Sequence, residues 1–115
     1  TLNPAKFIHL NSGKEYAVDS WPMHKQVHAV AGVGNPNRFF DLLSRLDFEF
    51  DKNPFPDHHK YSKRDLYYLD HLPILMTEKD AAKCRHFNNS KIWYLSIEAK
   101  IESQFIDRLE EKLND

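Results

Sequence analysis

Strand-like and helix-like segments alternate along this chain, and the alternation predicts an α/β fold: a three-layer α/β/α domain with a mainly parallel sheet, preceded by a short β-hairpin linker. Short apolar runs suited to buried strands stand at Val27-His28-Ala29-Val30-Ala31, Pro73-Ile74-Leu75-Met76-Thr77 and Ile92-Trp93-Tyr94-Leu95. Apolar residues recur at helical spacing between them and after the last. The 115 residues, 41% hydrophobic and 29% charged, suit a single folded core.

Phe7 to Leu10 and Lys14 to Val18 flank Asn11-Ser12-Gly13, the pattern of two short strands around a tight turn. Ser20-Trp21-Pro22 then interrupts, so residues 1–24 read as a hairpin and linker and residues 25–115 as the α/β domain. Asn35-Pro36 sets a cap residue before a proline at the first helical position, and Phe39, Leu42, Leu43 and Leu46 follow on one face. Phe48-Glu49-Phe50 resumes strand alternation. Ser62 opens a second helix through Leu66 and Leu69. Thr77 caps a third, Glu78 to about Phe87, with Glu78 and Asp80 near its positive end and Lys83 and Arg85 near its negative end. Phe105, Leu109 and Leu113 share one face of a final helix. Trp93, Tyr94 and the Phe39-Phe40 pair read as core rather than as ligand platforms.

Sixteen basic against seventeen acidic residues leave a net charge of -1, which provides no footprint for nucleic acid. The single cysteine, Cys84, excludes an intrachain disulfide and is compatible with a reducing cytosol. No apolar run approaches the roughly 18 residues of a membrane span. The start at Thr1-Leu2-Asn3-Pro4, without methionine, leads us to expect a piece of a longer protein.

Three polar turns could carry chemistry. In Gly32-Val33-Gly34-Asn35-Pro36 a strand passes through two glycines into a helix, which could bring backbone amides to a phosphate or simply make a tight corner. Phe55-Pro56-Asp57-His58-His59 is the most reactive cluster: His58 could act as a general base or orient one, with Asp57 fixing a tautomer, or the loop could be merely solvated. Thr77-Glu78-Lys79-Asp80 sits at a strand-to-helix junction on the same predicted sheet edge, and a capping box explains it as well as a substrate site. A metal site is not expected, since adjacent Asp57, His58 and His59 seldom converge on one ion. No Gly-x-x-x-x-Gly-Lys-Ser/Thr run is present, so the sequence contains no triphosphate cradle of that kind.

Taken in order, His28 to Pro36 with Arg38-Phe39-Phe40, then Phe55-Pro56-Asp57-His58-His59, then Met76 to Cys84 resemble the C-terminal half of the tetraacyldisaccharide 4'-kinase family, across about residues 5 to 113. The resemblance implies an enzyme that uses ATP and Mg2+ to phosphorylate the 4'-hydroxyl of a lipid A disaccharide precursor. An N-terminal P-loop domain would bind the nucleotide and carry an aspartate base, while this α/β part closes over the cleft. The family's Asp-His segment brings a histidine to that base, which by motif position implies His58, with Asp57 and His59 as weaker choices. Gly32, Gly34 and Asn35 are secondary nucleotide candidates, and Thr77, Glu78, Lys79 and Asp80 substrate or structural ones. The resemblance also implies a cytoplasmic enzyme, peripheral at the inner membrane, whose membrane contact lies in the other half. From a different class, the chain could be a non-enzymatic α/β module binding a nucleotide or a protein through the Gly32 to Pro36 turn.

Overall fold

A computed structural model describes residues 3–98, and its framework is a single six-stranded sheet. The strands are β1 (Asn3–His9), β2 (Glu15–Ala17), β3 (Gln26–Ala31), β4 (Glu49–Pro54), β5 (Ile74–Thr77) and β6 (Ile92–Glu98), in the order β2-β1-β6-β5-β3-β4. β6, β5, β3 and β4 run parallel, and β1 joins antiparallel to both β2 and β6. The helices are α1 (Pro36–Arg45) and α2 (Glu78–Ala81), so the predicted mainly parallel α/β architecture is the one observed. Among the described residues no helix is long and apolar enough to cross a membrane.

Period-two alternation divides the core between the two faces of the sheet. Val27, Ala29 and Ala31 of β3 meet Phe39, Phe40, Leu42 and Leu43 of α1 on one face, with Leu75, Trp93 and Leu95 beside them. Val30, Ile74, Met76, Ile92 and Tyr94 point to the other, where Leu66, Ala81 and Cys84 cover them. Each fully buried Leu or Phe contributes about 1.5–3 kcal/mol.

The hairpin turn is closed by Gly13, at φ +74, where the missing Cβ removes the left-handed penalty. β1 continues along β6 from Asn3↔Glu98 to His9↔Trp93, so the hairpin shares the sheet of the main body. Trp21 strengthens that attachment: its ring lies 4.9 Å from both Phe7 and Trp93 and 5.4 Å from Phe48. The sequence marks Trp21 only as part of a break in pattern.

Two expected helices are shorter in the structure. The segment after Ser62 makes one 3-10 turn, Lys63–Leu66, and Leu69 is 90% exposed. The ring of Tyr68 stacks on His28 at 3.7 Å and Asp70 reaches the same imidazole, which draws the chain out along the sheet before β5. The helix from Glu78 stops as α-helix at Ala81, tightens into i→i+3 bonds such as Cys84 N to Ala81 O (2.9 Å), and ends at Asn88 in the left-handed region (φ 53). The expected final helix over Phe105 to Leu113 lies outside the described residues.

Candidate functional site

Because β3, β4 and β5 are parallel, the turns that follow them emerge at one edge of the sheet. All three polar turns singled out in the sequence meet there, and Asp80 joins them. This fully buried carboxyl group accepts from the Gly32 amide (3.0 Å), the Tyr61 hydroxyl (3.0 Å) and the Thr77 hydroxyl (2.6 Å). The Thr77 oxygen in turn accepts from the Asp80 amide at 3.1 Å, capping α2. Burial, and then the charge of Asp80, push the Tyr61 phenol far above its ordinary value, so it stays a donor.

Gly32 is required for this close approach. A Cβ placed there would meet the Tyr61 oxygen at 2.6 Å and an Asp80 oxygen at 3.2 Å. Gly32→Ala should therefore cost about 1–3 kcal/mol by overpacking. The cost should fall when the same change is made in a Tyr61→Phe background, a double-mutant cycle readable from urea unfolding. An equal cost in both backgrounds would place the strain elsewhere.

The Gly32 to Pro36 turn has little to offer a triphosphate. Its Gly32 amide is committed to Asp80, Pro36 has no N–H, and Asp57 lies on the turn, its Oδ2 3.5 Å from where a Gly34 Cβ would stand. Asn35 occupies the cap position without a side-chain capping bond; only its carbonyl accepts, from Arg38 N at 3.3 Å. A cleft of about 290 Å³ opens beside this turn, lined in part by Gly34, Asn35, Arg38, Thr77 and Glu78. Lys79 is exposed and absent from that lining.

The adjacent histidines are placed very differently. His59 is three-quarters buried: its Nε2 lies 2.9 Å from Asp65 Oδ2, and its ring stacks on Phe55 at 4.6 Å and meets the edge of Tyr61 at 4.8 Å. That environment holds the loop together. His58 projects outward with its side chain 82% exposed. Its backbone sits at φ +62 in a turn closed by the His59 amide donating to Pro56 O (3.0 Å), and its own amide donates to Asp57 Oδ1 (3.0 Å). The other non-glycine residues at positive φ among those described, Asp47 and Asn88, end helices; His58 alone adopts it within a loop. The Asp57 carboxylate lies 3.7 Å from the His58 ring. Among the described residues no three His, Cys, Asp or Glu side chains gather as a metal site.

Asp65 and Tyr61 escaped the sequence reading, although Ser62-x-x-Asp65 carries a capping-box signature. The Asp65 carboxyl is held below its ordinary range, first by the Ser62 amide and then by the His59 ring. A depressed carboxyl contributes stability that is complete above its unfolded value, about 3.9, and lost as pH falls through the lower folded one. The stability gap between the native chain and Asp65→Asn should thus shrink between about pH 5 and pH 3. Urea midpoints at both values check this; a constant gap would contradict it.

Residues 1–114 match the family described as Tetraacyldisaccharide-1-P 4'-kinase. A tetraacyldisaccharide 4'-kinase of Hahella chejuensis is 40% identical over 114 residues, 99% of this chain and 33% of that protein. One from Ectopseudomonas mendocina is 42% identical over 112 residues, 97% of this chain and 34% of that protein. The chain thus spans about a third of the length of the curated relatives it matches. It also superposes on LpxK from Aquifex aeolicus, an "apo" form crystallised in complex with ATP, with a TM-score of 0.62 and 22% identity over 94% of this chain and 34% of that one. That likeness is one of fold.

Proposed function

Since the chain belongs to the tetraacyldisaccharide-1-P 4'-kinase family, we propose that it is the part of an ATP-dependent lipid A kinase that closes over the active site and presents His58 to the catalytic base. The acceptor is the 4'-hydroxyl of a tetraacyldisaccharide 1-phosphate. ATP with Mg2+ supplies the phosphoryl group and is held mainly by a P-loop domain elsewhere in the same protein, in keeping with a Gly32 turn already closed on its own carboxylates. The complete enzyme works at the cytoplasmic face of the inner membrane, and the 115-residue portion alone is inactive.

One observation carries this reading: His58 is exposed, on a backbone held at a left-handed position by the Pro56 turn and Asp57. Strained, over-determined residues of this kind occur where geometry serves function. Phosphoryl transfer depends chiefly on positioning and charge stabilisation, so a base aligned on the sugar hydroxyl gains from a fixed partner. His58 is then a positioning residue: its imidazole holds the base carboxylate, which would take the hydroxyl proton as the sugar oxygen bonds to the γ-phosphorus and the bridging P–O bond breaks to release ADP. Closure over the reactants excludes water.

The test is complementation. A kinase gene whose C-terminal third is replaced by this chain should support lipid A synthesis in a strain lacking its own 4'-kinase, and the same gene with His58→Ala should support it poorly. Equal growth with both would reject the role given to His58, and failure of the unaltered chimaera, if it is folded and stable, would reject the function.

A further inference from the structure

A second cleft, of about 390 Å³, opens beside the exposed histidine and is lined by His58, His59, Lys60, Tyr61, Lys83 and His86. No acidic side chain lines it. Among the described residues neither Lys60 nor Lys83 is ion-paired, whereas Lys6 is, with Glu15. Lys83 is partly buried against the wall, with its Nζ 3.4 Å from the His59 carbonyl. Two acids of the neighbouring turns are already occupied: Asp80 accepts three hydrogen bonds inside the domain, and Asp65 faces His59 and the Ser62 amide. Two ammonium groups and the imidazoles of His58 and His86 therefore surround one hollow with no acidic side chain in its lining, Asp57 lying outside it at 3.7 Å from the His58 ring.

We propose that this cleft is a subsite for a terminal phosphate group, with Lys60 and Lys83 as its charged anchors and His58 and His86 as adjustable donors. Two lysines and flanking imidazoles match a compact dianion better than a single carboxylate, and lysine ammonium groups bind phosphate as point charges. The volume admits a phosphate with part of the group that bears it. The inference deepens the kinase reading and rests on it: the phosphate belongs either to the sugar acceptor or to the nucleotide, and lies next to the histidine that serves the transfer.

The direct test titrates the isotope-labelled chain with inorganic phosphate at constant ionic strength, using chloride as the control. Amide and imidazole resonances of Lys60, Lys83 and His86 should move saturably with phosphate only. The Lys60→Gln/Lys83→Gln pair should abolish the movement while leaving the rest of the spectrum intact. Absence of saturation, an equal response to chloride, or persistence in the double variant would overturn the proposal. In the complete kinase the same pair should raise one KM by about 10-fold or more, the loss of charged hydrogen bonds. A raised KM for the acceptor assigns the phosphate to the sugar, and a raised KM for ATP assigns it to the nucleotide; two unchanged constants would overturn the subsite. Loss of phosphate binding together with a strong effect of His58→Ala would leave the positioning role standing, so the two readings fail separately.

Discussion

Replacing Asp80 by alanine should lower the stability of this domain by about 3–5 kcal/mol, near the top of the range for a single substitution. Three donors converge on this fully buried group: the Gly32 amide from the turn after β3, the Tyr61 hydroxyl from the loop after β4, and the Thr77 hydroxyl from the end of β5. Its removal strands all three where little water can replace it, at about 1–3 kcal/mol for a buried unsatisfied group, partly recovered by relaxation. Asp80→Asn preserves the shape but turns an N–H2 toward donors, so its cost should fall between the two. Tyr61→Phe removes only one donor and should cost least. Urea unfolding of the three variants ranks them, and a change below about 1 kcal/mol for Asp80→Ala would show that the three turns are not joined through this carboxyl.

In the complete kinase, His58→Ala should reduce turnover by about 10- to 1000-fold, a loss of roughly 1.4–4 kcal/mol in transition-state stabilisation. The melting temperature of the domain should hardly change, because the side chain is 82% exposed. His58→Gly separates the two effects further. At φ +62 glycine carries no Cβ penalty, so this variant should match His58→Ala in lost turnover while being more stable by about 1 kcal/mol. His59→Ala should show the reverse: it breaks the contact with Asp65 and the stack on Phe55, lowering stability while affecting turnover less. A structural histidine at position 58 would instead lose activity and stability together.

The strands and α1 were legible because apolar periodicity is a local property: Val27 to Ala31 and Phe39 to Leu43 each declare their buried face within a few residues. The hairpin was legible from Asn11-Ser12-Gly13 for the same reason. The gathering of three turns at one edge followed from the parallel topology. Asp80 was not legible as a hub, because its partners Gly32 and Tyr61 lie 48 and 19 residues away, and locally it is an ordinary acid in the first turn of a helix. The contrast between His58 and His59 was also hidden. It depends on one left-handed residue that turns the first outward and the second onto Phe55, a backbone choice that neighbouring side chains do not announce. The helix expected after Ser62 failed for a tertiary reason: the stack of Tyr68 on His28 outweighs the weak helical preference of a short polar segment.

The role of His58 is tested most directly by a double-mutant cycle in the complete kinase, combining His58→Ala with alanine at the aspartate base. If the imidazole acts by holding that carboxylate, the double variant should be no slower than the base variant alone, because the positioning has nothing left to position. Fully additive losses in kcat would contradict it, since His58 would then be acting on the reaction independently of the base.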